Sequence, residues 1–487
     1  MHSHYINGHW VAGEGPSFPV CDPSTGQVLW SCAQATPAET EAACKAARAS
    51  FDGWAQTPLD ERIAVCHRFR DLLKAQGEEL ARLIALEVGK PLWEARTEAA
   101  SMANKIDISV QAYHARTGES LIRVADGEAI LRHRPHGVFA VFGPYNFPAH
   151  LPNGHIVPAL IAGNAIVFKP SEYAPRTAVK TLELWIEAGL PEGVLNLVNG
   201  GGDTGAALAQ NAELDGILFT GSYRTGALLH RQFAGHPGKM LALEMGGNNA
   251  LLAWDAGDLD AAVHHAIFSA FVSAGQRCTC ARRLIVEDGP RGRALIERLL
   301  EVAGNIVVGR FDQIPEPFMG PVVSVKAAEN LLQAQEDLIA RGGLSLLTMR
   351  HLQPGTGFVS PGIVDVTDAV DIPDEEWFGP LLQVVRVPDF ESALRVVNAT
   401  EYGLAAGLLS DDEARWRQFQ IHARAGIVNW NRPTVGAAST APFGGIGKSG
   451  NHRPSAYYAA DYCAYPVASI QTDALEMPQQ LSPGLKF

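Results

Sequence analysis

Cysteine is scarce in this sequence, and long hydrophobic runs are missing. Seven cysteines occur among 487 residues. This number is small for the length and odd, unlike the disulfide framework of a small secreted protein. No run reaches the roughly 18 apolar residues of a membrane-spanning helix. The first residues, MHSHYINGHW, lack the cationic and apolar segments of a signal peptide. We therefore expect a cytoplasmic protein with reduced thiols.

Positive charge is also in deficit. The 39 lysines and arginines stand against 52 acidic residues, for a formal net charge of -13. Nucleic acids and anionic membranes attract dense basic patches, so we expect neither as a partner. Apolar residues make up 47% of the chain and charged residues 19%, which is typical of a packed globular protein.

The pattern of the chain changes near residue 137. The first part predicts a strand hairpin and then helices, with Thr36, Pro37 and Glu39 forming a capping box and Asp60 capping the next helix. Short β-rich runs then alternate with helical segments: GVFAVF, NAIVFK, GVLNLV, DGILFT and, near residue 250, NALLAW and RRLIVE. This alternation predicts two α/β lobes with mostly parallel sheets.

Two motifs that follow predicted strands are suited to binding a ligand. In TGSYRTG, Gly221 permits a tight turn and Ser222 can cap a helix whose free N–H groups face an anion. In FKPSE, Lys169 and Glu172 are placed to meet phosphate or hydroxyl groups. A plain glycine turn and a plain helix start remain alternatives, because TGSYRTG lacks the GxGxxG fingerprint.

Two other motifs carry groups suited to catalysis. GPYNFP contains Asn146, whose amide could donate to an oxyanion or could serve only the turn. LALEMGGNNA places Glu244 among apolar residues, where burial raises the pKa of a carboxyl toward that of a general base. A structural glutamate bonded to backbone N–H groups is equally compatible with this segment.

The segment AGQRCTC, residues 274 to 280, holds two cysteines one residue apart. Two sulfurs at this spacing with no second pair do not make a zinc site, and a disulfide between them would be strained. A catalytic thiol instead requires polar donors and a base elsewhere in the chain, which Asn146 and Glu244 can supply. We expect one nucleophilic cysteine, one bystander and no metal.

Together these segments resemble the NAD(P)-dependent aldehyde dehydrogenase superfamily. The matching motifs occur in family order up to residue 450: YINGHW, GPYNFP, FKPSE, FTGSYRTG, LEMGGNN, GQRCT, EEWFGP and APFGGIGKSG. The resemblance implies an α/β, two-lobed fold with a Rossmann-type cofactor lobe, an α/β catalytic lobe and β arms for oligomerisation. It implies an NAD-binding domain (1–124 and 142–247), a catalytic domain (248–440), and an arm and tail (125–141 and 441–487) that build a homodimer or homotetramer.

The resemblance also implies a role for each motif residue. Cys278 would attack the aldehyde, Asn146 and the Cys278 N–H would stabilise the oxyanion, and Glu244 would activate water to hydrolyse the thioester. NAD is the expected cofactor, because Glu172 tolerates a free 2′-hydroxyl and repels a 2′-phosphate. The residues expected to hold it are Lys169, Glu172, Gly221, Ser222, Tyr223, Arg224, Thr225, Gly226, Glu376 and Phe378.

Within the superfamily, LALEMGGNNA and GKSGNHRPSAYYAADYC most resemble enzymes of arginine catabolism that oxidise N-succinylglutamate 5-semialdehyde to N-succinylglutamate. This dicarboxylic semialdehyde requires basic groups, and Arg432 is the only cation in NWNRPTVGAAST, which matches the family's substrate loop. We expect Arg432, or another arginine or lysine, to pair with a substrate carboxylate; the alternative for Arg432 is a surface arginine. The alternatives are glutamate or succinate semialdehyde as substrate, a CoA-acylating enzyme, which Glu244 disfavours, and a catalytically silent scaffold, which the thiol disfavours.

Overall fold

The computed structural model describes residues 3–124, 127–477 and 480–487. Three parts of the predicted domains lie outside the described residues: positions 1–2 of the NAD-binding domain, 125–126 of the arm and 478–479 of the tail. The described chain opens with two hairpins and four helices: β1 (His4–Ile6), β2 (His9–Val11), β3 (Ser17–Cys21), β4 (Val28–Ala33), α1 (Pro37–Gln56), α2 (Leu59–Ala75), α3 (Gly77–Val88) and α4 (Leu92–Arg116).

The predicted N-terminal cap is present at α1 and absent at α2. At α1, Thr36 and Glu39 form the predicted capping box, with Pro37 at the first helical position. The prediction that Asp60 caps α2 is wrong. This helix begins at Leu59 directly after Pro58, whose restricted φ already suits a helix start. Asp60 therefore lies inside the first turn.

The first lobe is built on a seven-stranded sheet. Two strands that belong to another sheet come first in the chain, β5 (Ser120–Val124) and β6 (Gly127–Pro135). The lobe then contains β7 (Val138–Phe142), α5 (His150–Ala162), β8 (Ala165–Lys169), α6 (Pro175–Glu187), β9 (Leu195–Leu197), α7 (Gly202–Ala209), β10 (Gly216–Gly221), α8 (Tyr223–Phe233) and β11 (Met240–Met245). The order is β11-β10-β7-β8-β9-β1-β2. Strands β7 to β11 are parallel, while β1 pairs antiparallel with β9 and β2.

Both faces of this sheet are covered. In β7, Phe139 and Val141 pack into the core shared with α2 to α6, whereas Val138 and Ala140 pack into the core shared with α1, α7 and α8. Side chains alternate between the faces of a strand, so each face buries its own apolar set. This confirms the prediction of a mostly parallel sheet in an α/β lobe.

A second α/β lobe follows, as predicted. Its elements are β12 (Asn249–Ala253), α9 (Leu259–Phe271), β13 (Ala281–Glu287), α10 (Pro290–Gly304), α11 (Val325–Ala340), β14 (Leu344–Leu347), β15 (Gly362–Asp365), β16 (Leu381–Val387), α12 (Phe390–Val397), β17 (Ala405–Leu409), α13 (Glu413–His422) and β18 (Ile427–Trp430). The sheet order is β14-β15-β16-β13-β12-β17-β18, and every pairing is parallel except that of β14 with β15.

The carboxyl-terminal part returns to the first lobe. It contains β19 (Pro442–Phe443), β20 (Ser455–Ala456), α14 (Ala459–Cys463) and β21 (Ala464–Gln471). Strand β21 pairs antiparallel with β6 from Ala464 opposite Pro135 to Gln471 opposite Glu128, and β6 also pairs with β5. These three strands form a small sheet, called the arm here. Among the described residues, no helix has the length and apolarity to cross a membrane.

Candidate active site

A cavity of about 870 Å³ lies where the two lobes meet. Loops at the carboxyl ends of β7, β8, β10 and β11 form one side of it, the position at which open parallel sheets bind ligands. The turn before β13 and the loop before β16 close the other side. The predicted site residues that line the cavity are Asn146, Lys169, Glu172, Gly221, Ser222, Thr225, Glu244, Cys278, Glu376 and Phe378.

The turn that carries Cys278 has an unusual backbone. Ser273, Ala274 and Gly275 follow α9 with φ angles of 56°, 51° and 69°, all in the left-handed region. A Cβ on Gly275 would lie 2.1 Å from the carbonyl oxygen of Gly379, so only glycine fits there. Such strain collects at functional sites. The turn presents Cys278 to the cavity.

The two neighbouring cysteines have different surroundings. Cys280 is fully buried beside Val272 and Val435 and does not line the cavity. Cys278 is partly exposed and lines it. Burial of the Cys278 thiol, with further contributions from the Glu376 and Glu244 carboxylates, raises its pKa to about 12. The thiol is therefore protonated at rest.

The Asn146 amide is fixed against this turn. Its Nδ2 donates to the Gln276 carbonyl at 3.0 Å, and its Oδ1 accepts from the Phe147 N–H at 3.1 Å. The side chain is buried at the cavity wall. An amide nitrogen has two protons, and the first bond uses one of them. The second is available for an oxygen held near Cys278.

Glu244 lies at the end of β11 with one oxygen bound and one free. Oε1 accepts from the Ser455 N–H at 3.1 Å, while Oε2 is buried without a hydrogen-bond partner among the described residues. Burial raises the pKa of this carboxyl well above its usual value, and the bond from Ser455 only partly opposes this. A buried carboxyl with a raised pKa and a free oxygen has the properties of a general base.

The far side of the cavity has the donors that a dinucleotide requires. Lys169 is buried and donates to the carbonyls of Pro170 at 2.8 Å and Gly200 at 2.7 Å, which leaves one ammonium proton. Glu172 is exposed at the rim. The hydroxyl of Ser222 caps α8 by accepting from the Thr225 N–H, and Ser222 and Thr225 both line the cavity.

Apolar residues lie between α7 and α8 on this side: Ala206, Ala209, Leu228 and Leu229. They offer a slot for a flat ring next to the donors. The chain therefore fits a nucleotide cofactor. The glycine run at the start of α7, Gly200 to Gly202, was not identified from the sequence as part of the site. Three glycines after a β-rich run are a signal that could have shown it.

Glu376 and Phe378 approach the cavity from the second lobe. Glu376 Oε1 accepts from the Gly247 N–H at 3.1 Å and lies 4.0 Å from the Arg282 guanidinium. Burial raises the pKa of Glu376 to about 7, and the Arg282 charge limits the rise. Phe378 meets the Tyr145 ring edge-on at 6.0 Å between centroids. Both predicted residues are thus brought to the thiol end of the cavity.

Four predicted site residues do not line the cavity: Tyr223, Arg224, Gly226 and Arg432. The Tyr223 ring packs edge-on against Tyr402 at 6.2 Å. A Cβ on Gly226 would lie 2.3 Å from the sulfur of Met245, so this glycine lets α8 approach β11. Arg432 is exposed. Burial lowers the pKa of His265, and the charges of His264 and Arg432 lower it further. Its substrate role remains a prediction without support from its position.

Within the described residues, no group of three or more His, Cys, Asp or Glu side chains could hold a metal ion. The chemistry of the cavity instead centres on one thiol, one buried carboxylate and one amide. A thiol that adds to a carbonyl beside a nucleotide site is typical of a dehydrogenase that oxidises its substrate as a cysteine adduct. A model of the aldehyde dehydrogenase family matches residues 10–466, and the chain belongs to this family.

Full-length relatives and solved structures agree. The chain is 59% identical over 485 residues to N-succinylglutamate 5-semialdehyde dehydrogenase of Ectopseudomonas mendocina (strain ymp), covering 100% of both chains. It is 60% identical over 487 residues to the enzyme of that name from Pseudomonas fluorescens (strain Pf0-1), again covering 100% of both. The predicted family is therefore confirmed.

Two solved structures share the fold. One is an NAD-dependent aldehyde dehydrogenase from Sinorhizobium meliloti, with a TM-score of 0.91, 30% identity and coverage of 98% of this chain and 96% of that one. The other is an indole-3-acetaldehyde dehydrogenase complexed with NAD+, with a TM-score of 0.90, 31% identity and 96% coverage of both chains. The two-lobed α/β fold expected from the sequence is thus confirmed.

Proposed function

We propose that this chain oxidises N-succinylglutamate 5-semialdehyde to N-succinylglutamate with NAD, as a step of arginine degradation. The observation that carries the proposal is the full-length match, at 59% and 60% identity, to relatives named for that reaction. The cavity supports it, because it holds a thiol, a buried base and a nucleotide side in one enclosure.

In the first half of the reaction, Cys278 forms a bond to the substrate. The thiol releases its proton to solvent water as Sγ adds to the aldehyde carbon, which gives a thiohemiacetal whose oxygen carries the negative charge. The free Nδ2 proton of Asn146 and the N–H of Cys278 donate to that oxygen. Bound NAD supplies a hydride acceptor, which leaves the substrate as a thioester on Cys278.

In the second half, Glu244 activates water. Its free Oε2 takes a proton while the water oxygen adds to the thioester carbonyl. The bond between carbon and Sγ then breaks, the thiolate of Cys278 leaves, and the carboxylic acid product forms. Glu244 is suited to activate water, which a CoA-acylating enzyme does not need, so Glu244 favours water over CoA as the acceptor.

The proposed cofactor contacts divide along the cavity. Lys169 and Glu172 would hold the adenosine ribose, and the negative charge of Glu172 would select NAD over a 2′-phosphorylated cofactor. The turn from Gly221 to Gly226 would lie along the cofactor, with Ser222 near the pyrophosphate, while Glu376 and Phe378 would hold the nicotinamide ribose. The same proposal includes the predicted domains (1–124 with 142–247, 248–440, and 125–141 with 441–487).

Assembly and compartment complete the proposal. The arm exposes apolar side chains at its surface, Ile122 at 67% and Ile470 at 74% of their full area, which supports a homodimer or homotetramer built through it. All seven cysteines are free thiols, which supports a reducing cytoplasm.

The decisive experiment is NAD reduction by the wild-type enzyme with a panel of aldehydes. The panel holds N-succinylglutamate 5-semialdehyde, glutamate 5-semialdehyde, succinate semialdehyde and an uncharged aliphatic aldehyde of similar length. We expect the highest kcat/KM for the first, because two carboxylates and an amide give it the most groups to bind. Equal kcat/KM across the panel, or a preference for another semialdehyde, would defeat the substrate assignment and leave only the family.

The cysteine pair supplies the control for this panel. Cys278→Ser is expected to lose turnover with every aldehyde while NAD still binds. Cys280→Ala is expected to keep the wild-type rates, since Cys280 packs behind the cavity wall. Activity retained by Cys278→Ser would refute the covalent mechanism.

A further inference from the structure

One face of α4 lines the cavity on the side away from the nucleotide residues. The lining residues are Glu94, Thr97, Glu98, Ser101 and Lys105, which occupy positions i, i+3, i+4, i+7 and i+11 of one helical face. Both carboxylates in this row have cationic partners. Glu94 Oε1 lies 2.6 Å from Nη2 of Arg277, and Glu98 Oε2 accepts from Lys90 Nζ at 2.6 Å.

Lys105, at the end of the row, has no such partner. Its side chain is buried, with 2% of the residue exposed, and makes no hydrogen bond or ion pair with any described residue. Its Cε lies 3.8 Å from the position of a Cβ on Gly154 in α5, so the stem runs along that helix. A buried ammonium without a counter-ion is costly. Burial accordingly lowers the pKa of Lys105 to about 8.

The neighbours of Lys105 add no negative charge. Burial and the Lys105 charge lower the pKa of both His150 and His155 in α5 to about 3, so both rings are neutral. The two nitrogens of His155 lie 2.8 Å from the Tyr462 hydroxyl and 3.1 Å from Thr220 Oγ1. This end of the cavity is therefore positive, and no described carboxylate pairs with Lys105.

The other cations of the cavity wall are already occupied. Arg277 contacts Glu94 and donates from Nε to Ser273 at 2.8 Å, and Lys169 holds two carbonyls on the nucleotide side. Among the described lining residues, Lys105 is the cation without a protein partner. An anion that enters the cavity can pair with Lys105 without breaking an existing bond.

The position of Lys105 assigns it to the substrate rather than the cofactor. Helices α4 and α5 cover one face of the first sheet, and α7 and α8 cover the other. The nucleotide residues belong to the α7 and α8 side. The turn with Asn146 leads into α5, so the α4 side continues from the thiol in the opposite direction. A substrate whose aldehyde reaches Cys278 can extend its other end along α4.

We propose that Lys105 binds a carboxylate of the substrate and makes the enzyme select dicarboxylic semialdehydes over uncharged aldehydes. The ammonium donates to the carboxylate as the aldehyde carbon reaches Cys278, so Lys105 sets the length and charge of the accepted chain. This inference rests on the proposed function. It gives Lys105 the role that the sequence predicted for Arg432, which lies outside the cavity lining.

Lys105→Met tests the proposal, because methionine keeps an unbranched apolar stem and removes the charge. We expect kcat/KM for N-succinylglutamate 5-semialdehyde to fall about 10- to 100-fold, as for a lost hydrogen bond to a charged group. The loss should lie mainly in KM, with kcat within about twofold. The uncharged aldehyde should keep its kcat/KM, and Lys105→Arg should recover part of the lost selectivity.

Controls separate this role from a structural one. Lys326→Met, at a lysine of α11 whose side chain is 74% exposed, should change neither substrate. Unfolding temperature and NAD affinity report the fold of each variant, and Lys105→Gln replaces Lys105→Met if the latter does not fold. An equal loss with both aldehydes, no loss at all, or a selective loss in Arg432→Ala alone would overturn the proposal.

Failure of the proposed function gives a different result. A wild-type enzyme without preference for dicarboxylic semialdehydes would remove both the proposed substrate and the role of Lys105. A wild-type preference that survives in Lys105→Met would remove only the role of Lys105. The comparison of the wild-type panel with the variant therefore tells the two apart.

Discussion

At the residue scale, the Glu244 carboxylate has two oxygens in unequal surroundings. Oε1 is held by the Ser455 N–H, which fixes the orientation of the group, while Oε2 is buried with no partner in the described part of the chain. The raised pKa follows from this burial. An oriented oxygen that gains a proton easily is what water activation requires, and an unpaired buried atom of this kind is costly to keep for structure alone.

Replacement of Glu244 by glutamine should separate the two halves of the reaction. Glu244→Gln keeps the size and the acceptor for Ser455, but loses the base. Because acylation does not use the base, we expect a rapid burst of NADH equal to the enzyme present, followed by turnover at least about 100-fold slower than wild type. Stopped-flow absorbance measures both phases.

The control and the pH profile sharpen this result. Glu172→Gln, at the nucleotide rim, should show no slow turnover after the burst when NAD is saturating. In the wild type, hydrolysis should slow as pH falls through the raised pKa of Glu244, since only the ionised carboxylate accepts a proton. Steady turnover in Glu244→Gln at the wild-type rate would contradict the assignment.

Local signals predicted some residues well and could not predict others. Thr36 and Glu39 were predicted correctly because a capping box depends on residues three apart. Asn146, Glu244 and Cys278 were placed together through motif order, and the structure brings all three to one cavity. Lys105 carried no signal, because its importance comes from missing partners. A missing partner becomes visible only when α4, α5 and the cavity are packed together.

At the scale of elements, the turn between α9 and β13 positions the thiol. Three successive left-handed residues, 273 to 275, reverse the chain within one turn. Ser273 and Ala274 pay for this conformation with strain, since residues with a Cβ disfavour it by about 1–2 kcal/mol each. Bonds of the turn to neighbouring segments hold it, among them the contacts of Ser273 with Glu94 and Arg277.

Gly275→Ala should therefore damage both stability and activity. The new methyl group meets the Gly379 carbonyl oxygen at 2.1 Å in a left-handed backbone, so we expect the free energy of unfolding to fall by about 2 kcal/mol or more. The rate should fall with it, because the turn carries Cys278. Denaturant unfolding and steady-state kinetics measure the two effects.

A matched glycine provides the comparison. Gly53 lies inside α1, and a Cβ there meets nothing within 4 Å. Gly53→Ala should raise the stability by about 0.5–1 kcal/mol through helix propensity and leave the rate unchanged. Similar behaviour of the two variants would show that the backbone at Gly275 is not special.

Strands flanked by turns were predicted more reliably than those without such signals. The runs that became β7, β8 and β10 are rich in Val, Ile and Phe and were correctly identified. Strand β11 was not singled out, because MLALEM consists of good helix formers. Its pairing with β10 outweighs that propensity, and pairing between distant segments is not visible in a local window.

At the scale of the whole molecule, the arm presents an apolar surface outside the cavity lining. Leu121, Ile122 and Ile470 are 50%, 67% and 74% exposed on β5 and β21. The two strands flank β6, which joins segments more than 300 residues apart in the chain. An exposed apolar sheet of this kind is covered in most soluble proteins.

The double variant Ile122→Asp with Ile470→Asp should break the assembly into smaller species. Each new charge would be buried without a partner in an interface formed by the arm. Analytical ultracentrifugation measures the mass, and NAD affinity checks that the monomer stays folded. Ile421→Asp is the control, since Ile421 is 78% exposed on α13, away from the arm. A monomeric wild type, or dissociation in the control as well, would refute an interface through the arm.

Burial of the Cys278 thiol has a consequence for the survival of the protein in a stressed cell. Because burial raises the pKa of this thiol to about 12, the thiolate is a minor form at neutral pH. Peroxide and alkylating agents consume the ionised form, so we expect the idle enzyme to react slowly with both. Chemical damage is expected to fall mainly on molecules whose thiol is ionised during turnover.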